Sequence, residues 1–201
     1  MNVRDCFLDD ENVFQVGGTT IGAMIASAGK RRLWEPRNDG RVDVAVIHYI
    51  SAVNVAPNDP YNISRIFKIF CDYAVSSHYL ISRDGEIFRL VPEECKAWHA
   101  GASIMPEPDN RNGVNEFSIG IELVATDVSG FTAAQYDSLN HICAGIEARY
   151  GANNMKYVGH DQIAGERAVA LGLRKEPKTD PGPLFDWDRF TERLRRRRDF
   201  A

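Results

Sequence analysis

Short apolar runs with strand character recur along the chain between polar, turn-forming stretches. Residues 42–50 are β-branched and almost wholly apolar, which is typical of a central strand covered on both faces. Residues 117–124 alternate instead, so Gly120 and Glu122 share one face while the large apolar positions point to the other. Another short apolar stretch, residues 155–159, follows later in the chain. The pattern predicts strands of one sheet and places Glu122 among the smallest possible neighbours.

A hairpin is predicted between residues 78 and 91. Two β-rich runs, 78–82 and 86–91, flank Arg83-Asp84-Gly85. An Asp-Gly pair between such runs favours a tight turn in which both turn residues take positive φ. We therefore expect two adjacent antiparallel strands joined at Asp84 and Gly85.

Helical spacing marks two further segments. Apolar residues within 63–73 recur at intervals compatible with a short helix. Thr132 and Gln135 have the form of a capping box, and the apolar stripe that follows them ends at Gly151. Strands thus alternate with helices over the whole length. The predicted fold class is α/β, a single domain with a central mixed β-sheet flanked by helices.

The composition supports one globular domain over residues 1–201. Of the 201 residues, 44% are apolar and 26% are charged. No apolar run approaches the roughly 20 residues needed to span a bilayer, and the charged start does not resemble a signal peptide. The four cysteines form no CxxC pair, which is compatible with a reducing compartment. We therefore expect a cytoplasmic protein without stable membrane insertion.

The net charge of −4 argues against nucleic acid as a partner, because proteins that bind the phosphate backbone usually carry a basic field. Residues 193–198 are a local exception, since they form a basic run near the C-terminus. That run is either the solvated last turn of a helix or a contact for anionic lipid, nucleic acid or wall polymer.

Two of the five histidines stand where α/β sheets gather their ligands. His48 and His160 each end a short strand-like run, whereas His141 lies off the apolar stripe of the capped helix. A single histidine at a strand end is more often a structural residue than a metal ligand. Asp180 precedes two prolines and a glycine, and it is equally well explained as a turn residue or as a ligand. Together, two imidazoles and a carboxylate suit zinc and leave a fourth position for water, as catalytic zinc sites do.

Seven segments resemble, in the same order, the signature blocks of the N-acetylmuramoyl-L-alanine amidases related to phage lysozyme-amidases and peptidoglycan recognition proteins. They read VIHY (46–49), SSHYLI (76–81), RDG (83–85), AWHAGAS (97–103), NEFSIGIEL (115–123), GHDQIA (159–164) and KTDPGPLF (178–185). Each block is moderately specific by itself. Their common order over residues 42–190 makes the resemblance strong.

The resemblance implies one zinc ion in a groove that takes a glycan-peptide substrate. His48, His160 and Asp180 match the family's metal ligands, Glu122 matches the acidic residue that activates water, and Lys178 matches the residue that stabilises the oxyanion. Residue chemistry agrees, because a carboxylate on a glycine-lined strand face suits a general base, and a cation near a metal ligand can face a developing negative charge. Glu122 is otherwise explained as an exposed polar residue of a strand.

Other residues of the same blocks are predicted to surround the substrate. Trp98 and His99 are expected to line the groove, although an aromatic residue such as Trp98 is at least as often part of a core. Asn115 is predicted to contact substrate, and His78 is predicted to support the site as a strand residue.

The chain departs from the family pattern in two places. Residues 165–177 form an insertion where related enzymes run almost directly to the Lys-x-Asp motif, and we expect this loop to border the groove. Residues 1–40 match no block of the family. They are predicted to be an extension packed on the amidase core of residues 42–190, where they wrap the sheet or shape one end of the cleft.

The predicted activity is zinc-dependent hydrolysis of the amide bond between N-acetylmuramic acid, or its 1,6-anhydro form, and L-alanine in peptidoglycan or muropeptides. The blocks lean toward cytoplasmic amidases that recycle 1,6-anhydro-muramyl peptides. A phage-type or exported peptidoglycan lysin is the alternative within the class. The alternatives outside it are a non-catalytic peptidoglycan-binding module, which typically has a replaced metal ligand, and a zinc peptidase that cuts within the stem peptide.

Overall fold

A six-stranded mixed sheet runs through the computed structural model, which describes residues 2–199 and the side chains of residues 2–196. In spatial order its strands are β1 (Val3–Asp5), β7 (Ile87–Arg89), β6 (Tyr79–Ile81), β9 (Ser118–Val124), β5 (Val44–Ile50) and β10 (Lys156–Gly159). β6 and β7 pair antiparallel, and every other neighbouring pair in this sheet is parallel. Small antiparallel pairs join β2 (Gln15–Val16) to β3 (Thr19–Thr20) and β4 (Trp34–Pro36) to β8 (Cys95–Ala97).

Helices cover both faces of this sheet. They are α1 (Ile21–Ser27), α2 (Ile63–Tyr73), α3 (Ala133–Tyr150), α4 (His160–Ala164), α5 (Glu166–Ala170) and α6 (Trp187–Asp199), with a 3₁₀ helix at Val114–Phe117. α1 and α2 share a core with Leu80 of β6, whereas α3 and α6 share a core with Ile81. Because consecutive strand residues point to opposite faces, these are the two sides of one sheet. The predicted α/β fold with flanking helices is confirmed.

Both helices predicted from the sequence are present, and each begins after a residue whose side chain caps it. At the start of α2, the Asn62 side chain accepts a hydrogen bond from the backbone N–H of Arg65 at 3.0 Å. At the start of α3, Thr132 and Gln135 form the reciprocal capping box, with bonds of 3.1 and 3.0 Å. Side-chain capping therefore fixes the direction in which each helix leaves the preceding loop.

The predicted hairpin is present, but its predicted turn is wrong. Gly85 has a φ of 87°, whereas Asp84 is not among the residues with positive φ. The backbone N–H of Ser82 bonds to the carbonyl of Glu86 at 3.0 Å, so three residues, not two, form the loop. In a three-residue loop only the last residue needs the left-handed conformation, and Gly85 supplies it.

Residues from the N-terminal forty take part in the main sheet and in one of its cores. β1 adds an edge strand beside β7, and β4 pairs with β8. Leu8, Ile25 and Leu33 are buried in the same cluster as α2. This segment therefore extends the sheet and covers part of one face.

The basic run predicted at residues 193–198 lies on the last turns of α6. Arg193 forms an ion pair with Asp137 of α3, and Arg196 forms one with Glu192. The side chains of Arg197 and Arg198 lie outside the described residues. Across residues 2–199, no helix combines the length and apolar character that a membrane span requires.

Candidate active site

Three parallel strands bring the predicted chemical groups to one edge of the sheet. His48 on β5 stands opposite Glu122 on β9 in the strand register. Gly159 at the end of β10 stands opposite Ile47, so His160, which begins α4, comes next to His48. Carboxyl ends of neighbouring parallel strands are where α/β folds collect ligand-binding groups.

Asp180 reaches the same point because its segment is attached to the start of α4. The backbone N–H of Asp161 donates to the carbonyl of Asp180 at 2.8 Å. A Cβ on Gly159 would lie 2.8 Å from Cδ of Pro181, so only glycine at this position lets the segment approach so closely. The backbone of Lys178 is also fixed, since its N–H donates to the carbonyl of Ala164 at 2.9 Å.

The side chains of His48, His160 and Asp180 converge on a common point. Nδ1 of His48 and Nδ1 of His160 each lie 3.1 Å from Oδ2 of Asp180. One potential ligand atom from each residue falls within 4.8 Å of the other two. Tetrahedral zinc with bonds of about 2.0–2.2 Å holds its ligand atoms about 3.3–3.6 Å apart, and the two N–O distances of 3.1 Å are close to that spacing. These residues form a group that can hold a metal ion.

The hydrogen bonding of His160 supports a cation at this point. Its Nε2 lies 3.2 Å from the carbonyl oxygen of Ala100, which can only accept a hydrogen bond. When the ring is neutral, its proton therefore lies on Nε2 and its Nδ1 lone pair points toward the Asp180 carboxylate. Two electron-rich atoms at this distance repel each other unless a positive ion lies between them.

His48 is neutral at pH 7, as a metal ligand must be. Its side chain is 1% exposed. Burial first, and then electrostatic repulsion between the two imidazoles when both carry protons, lowers the pKa of His48 to about 4. Burial also lowers the pKa of His99 well below the usual histidine value.

Glu122 presents an unsatisfied carboxylate oxygen beside this group. The residue is half-buried, and its Oε2 has no contact with solvent and no hydrogen-bond partner. Burial, followed by the negative charge of Asp180, raises the pKa of Glu122 well above the usual value, while the positive charge of Lys178 opposes this shift. A carboxylate with a raised pKa is a stronger proton acceptor near neutral pH.

The residues predicted to contact substrate occupy different surroundings. His99 is next to His48, with 3.0 Å between His99 Nδ1 and His48 Nε2. Trp98 packs against the core of α1 and α2, and its Nε1 donates to Glu35 at 3.3 Å. Asn115 uses its side-chain oxygen to accept from the backbone N–H groups of His99 and Ala100, at 3.2 and 2.8 Å. Asn115 therefore holds the loop that carries His99 in place.

Two buried residues support the strand that carries Glu122. His78 is fully buried, and its Nδ1 accepts from the backbone N–H of Gly120 at 3.0 Å. Arg37 donates to the carbonyls of Asn115, Glu116 and Ser118 at 2.9, 2.8 and 2.7 Å. The role of Arg37 was not predicted, because arginine is usually exposed and residues 1–40 resemble no family block.

The insertion at 165–177 contains α5 and closes on itself at the edge of the site. Arg167 donates to the carbonyl of Met105 at 2.8 Å, which anchors α5 on the loop after Ala100. The bond between Lys178 and Ala164 joins the two ends of the insertion. The insertion therefore meets the candidate site at Lys178.

The comparisons with known proteins agree with this geometry. The sequence model of the N-acetylmuramoyl-L-alanine amidase family matches residues 38–183. The 1,6-anhydro-N-acetylmuramyl-L-alanine amidase AmpD of Citrobacter freundii is 39% identical over 180 residues, which cover 81% of this chain and 89% of that protein. A solved structure of a selenomethionine derivative of AmpD has a TM-score of 0.61 and 36% identity, over 80% of this chain and 89% of that chain. The amidase AmiD of E. coli, solved with the substrate anhydro-N-acetylmuramic acid-L-Ala-D-gamma-Glu-L-Lys, has a TM-score of 0.57 and 31% identity, over 76% and 57%.

Proposed function

This chain belongs to the N-acetylmuramoyl-L-alanine amidase family, and we propose that it hydrolyses the amide bond between 1,6-anhydro-N-acetylmuramic acid and L-alanine in soluble muropeptides. The observation that carries the proposal is the convergence of two imidazoles and a carboxylate beside the unpartnered carboxylate of Glu122. The substrate named for the AmpD relative, and the anhydro-muropeptide bound in the AmiD structure, support the 1,6-anhydro form. The resemblance to recycling amidases supports a cytoplasmic role in cell-wall recycling.

The proposed cofactor is one zinc ion held by Nδ1 of His48, Nδ1 of His160 and the carboxylate of Asp180. Zinc in an open three-ligand site polarises a carbonyl group and makes water nucleophilic near neutral pH. Free water is a weak nucleophile and an amide carbonyl is a weak electrophile. This Lewis-acid chemistry would overcome both obstacles to hydrolysis.

Glu122 is proposed as the general base and then the general acid. Its buried Oε2 takes a proton from the attacking water as the new C–O bond forms at the lactyl carbonyl carbon. The same carboxyl group then gives that proton to the alanine nitrogen as the C–N bond breaks. The products are the muramic acid carboxylate and a stem peptide with a free L-alanine amino group.

Lys178 is proposed to stabilise the negative charge that develops on the carbonyl oxygen. Its ammonium group is close enough to act electrostatically on both Glu122 and His48. A fixed positive charge aimed at the developing oxyanion lowers the barrier because it acts more strongly on the transition state than on the substrate.

The test offers soluble anhydro-muropeptides and intact sacculi side by side, with and without chelator, and identifies products by mass. Support is release of a stem peptide that begins with L-alanine from the soluble substrate, lost with chelator and restored by added zinc. Release from sacculi alone would instead indicate a wall lysin. Cleavage within the stem peptide would indicate a peptidase, and zinc binding without turnover would indicate a binding module.

A further inference from the structure

A chain of hydrogen bonds leads from a backbone carbonyl to the metal-facing edge of His48. The hydroxyl of Ser118 lies 2.6 Å from the carbonyl oxygen of Val114 and 3.2 Å from Nε2 of His99. Nδ1 of His99 lies 3.0 Å from Nε2 of His48. Ser118 is fully buried and His48 is 1% exposed, so these groups satisfy one another and not bulk water.

The Val114 carbonyl, at one end of this series of hydrogen bonds, determines which atom donates each proton. A hydroxyl has a single proton, and the short contact from Ser118 gives it to the Val114 carbonyl, which can only accept. Ser118 must then accept from Nε2–H of His99. The neutral His99 ring has its lone pair on Nδ1, where it accepts from Nε2–H of His48. His48 is thereby left with its lone pair on Nδ1, the atom that faces Asp180.

We propose that His99 and Ser118 are positioning residues that fix the tautomer of His48 and so prepare its Nδ1 as a metal ligand. This inference rests on the proposed zinc site. The carbonyl of Ala100, the residue after His99, orients the second imidazole ligand in the same way through Nε2 of His160. Asn115 holds both backbone amides of this pair. His99 and Ala100 thus orient both imidazole ligands toward the same ion.

This series of hydrogen bonds from Ser118 through His99 to His48, here called the relay, matters because the His48 ring has a second possible tautomer. Without an acceptor at Nε2, the ring can place its proton on Nδ1 and donate it to Asp180, which occupies two metal ligands with one hydrogen bond. Groups that orient metal-bound histidines in this way typically contribute about 10- to 100-fold to metal affinity. Loss of the acceptor is therefore expected to weaken zinc binding by about that factor.

His99 also packs against Gly120. The variants must therefore distinguish the loss of this packing from the loss of the hydrogen-bond acceptor. The ring lies against Gly120, where a Cβ would come within 2.5 Å of His99 Cγ. His99→Phe keeps a ring in this place and removes both nitrogens. His99→Asn loses the ring but keeps an acceptor, since its Oδ1 occupies the same bonded position as Nδ1. His141→Asn on α3 is the control for removal of a histidine outside the relay.

The primary measurement is zinc affinity of the metal-free proteins, read by competition with a chromophoric chelator. The proposal predicts that His99→Phe binds zinc about 10- to 100-fold more weakly, whereas His99→Asn and His141→Asn stay near wild type. If His99→Phe does not fold, Ser118→Ala replaces it and is expected to weaken zinc binding in the same direction. Equal loss in both His99 variants, or no loss in His99→Phe and Ser118→Ala, overturns the proposal.

A second measurement reads the protons directly. In ¹⁵N-labelled, zinc-loaded protein, the NMR signals of His48 should show Nε2 protonated and coupled across the hydrogen bond to Nδ1 of His99. A proton on Nδ1 of His99 overturns the proposal. If wild-type protein binds no zinc, the proposed function fails as well; if it binds zinc and cleaves muropeptide while the variants do not differ, only the relay is refuted.

Discussion

Among single residues, Glu122 tests the proposed mechanism most directly, because its Oε2 is buried and has no hydrogen-bond partner. Glu122→Gln keeps the shape of the side chain but cannot take a proton from water. Turnover of anhydro-muropeptide is expected to fall by about 10²- to 10⁴-fold, the usual contribution of a general base. Zinc affinity should stay near wild type, and Glu86→Gln on the exposed hairpin serves as control. Turnover within a few-fold of wild type would remove the assigned role.

Gly120 illustrates how a residue without a side chain shapes the site. A Cβ at this position would lie 2.5 Å from Cγ of His99, closer than two such atoms can approach. Gly120→Ala therefore has to displace the His99 ring, and overpacking of this kind costs about 1–3 kcal/mol of stability. Urea unfolding should show that loss together with weaker zinc binding. Gly145→Ala, whose Cβ meets only the flexible end of Arg149, should show neither effect; equal behaviour of the two variants would contradict the account.

Residue chemistry in the sequence singled out His48 and His160 at strand ends and Glu122 on a glycine-lined strand face. Asp180 was equally well explained as a turn residue, and only the family resemblance matched it to a metal ligand. Residue chemistry did not predict that Asn115 holds the His99 loop. That role depends on where the backbone amides of His99 and Ala100 lie after folding, and no local spacing encodes it.

At the scale of elements, periodicity and capping predicted the strands and helices around the site. α2 was found from apolar spacing, and α3 from apolar spacing together with its capping residues, since these are local signals. The turn of the hairpin was predicted wrongly, because an Asp-Gly pair fits both a two-residue turn and the end of a three-residue loop. The pairing of β1 and β4 with distant strands had no local signal at all.

Arg37 joins the N-terminal segment to the 3₁₀ helix that precedes β9. Its guanidinium is buried and donates to four backbone carbonyls, those of Glu93, Asn115, Glu116 and Ser118. Arg37→Met retains the apolar stem but leaves these acceptors without a donor, so unfolding free energy should fall by about 3 kcal/mol. Arg41→Met removes the exposed partner of Asp43, which keeps its ion pair with Arg111, so the variant should cost less than about 1 kcal/mol. Chemical denaturation would contradict the account if both variants lost equal stability.

At the scale of the whole molecule, buried histidines make the stability of the metal-free protein depend on pH. Burial lowers the pKa of His48 to about 4 and that of His78 to about 3, and it lowers the pKa of His99 as well. In the unfolded chain a histidine takes up a proton below about pH 6.5, whereas these folded rings do not. The unfolded state therefore gains protons first, and stability falls as pH decreases from about 6.5 toward 4.

Each such histidine contributes up to about 1.4 kcal/mol per pH unit in that window. Glu122 acts in the opposite direction, because its raised pKa lets the folded state bind a proton first, and the raised pKa values of Asp9 and Asp161 act in the same direction as that of Glu122. Urea unfolding at pH 6.5 and pH 5 should show the decrease in stability. His78→Asn should give a shallower dependence; a slope equal to that of wild type would show that His78 is not the buried neutral ring described.

The proposed zinc site joins side chains from three separate parts of the chain at the carboxyl ends of β5, β9 and β10. The most direct measurement is an anomalous difference map from crystals of the zinc-loaded protein at the zinc absorption edge. The account predicts one strong peak, about 2.0–2.2 Å from Nδ1 of His48, Nδ1 of His160 and an oxygen of Asp180. A peak bound to other residues, or no peak at these three, would contradict it.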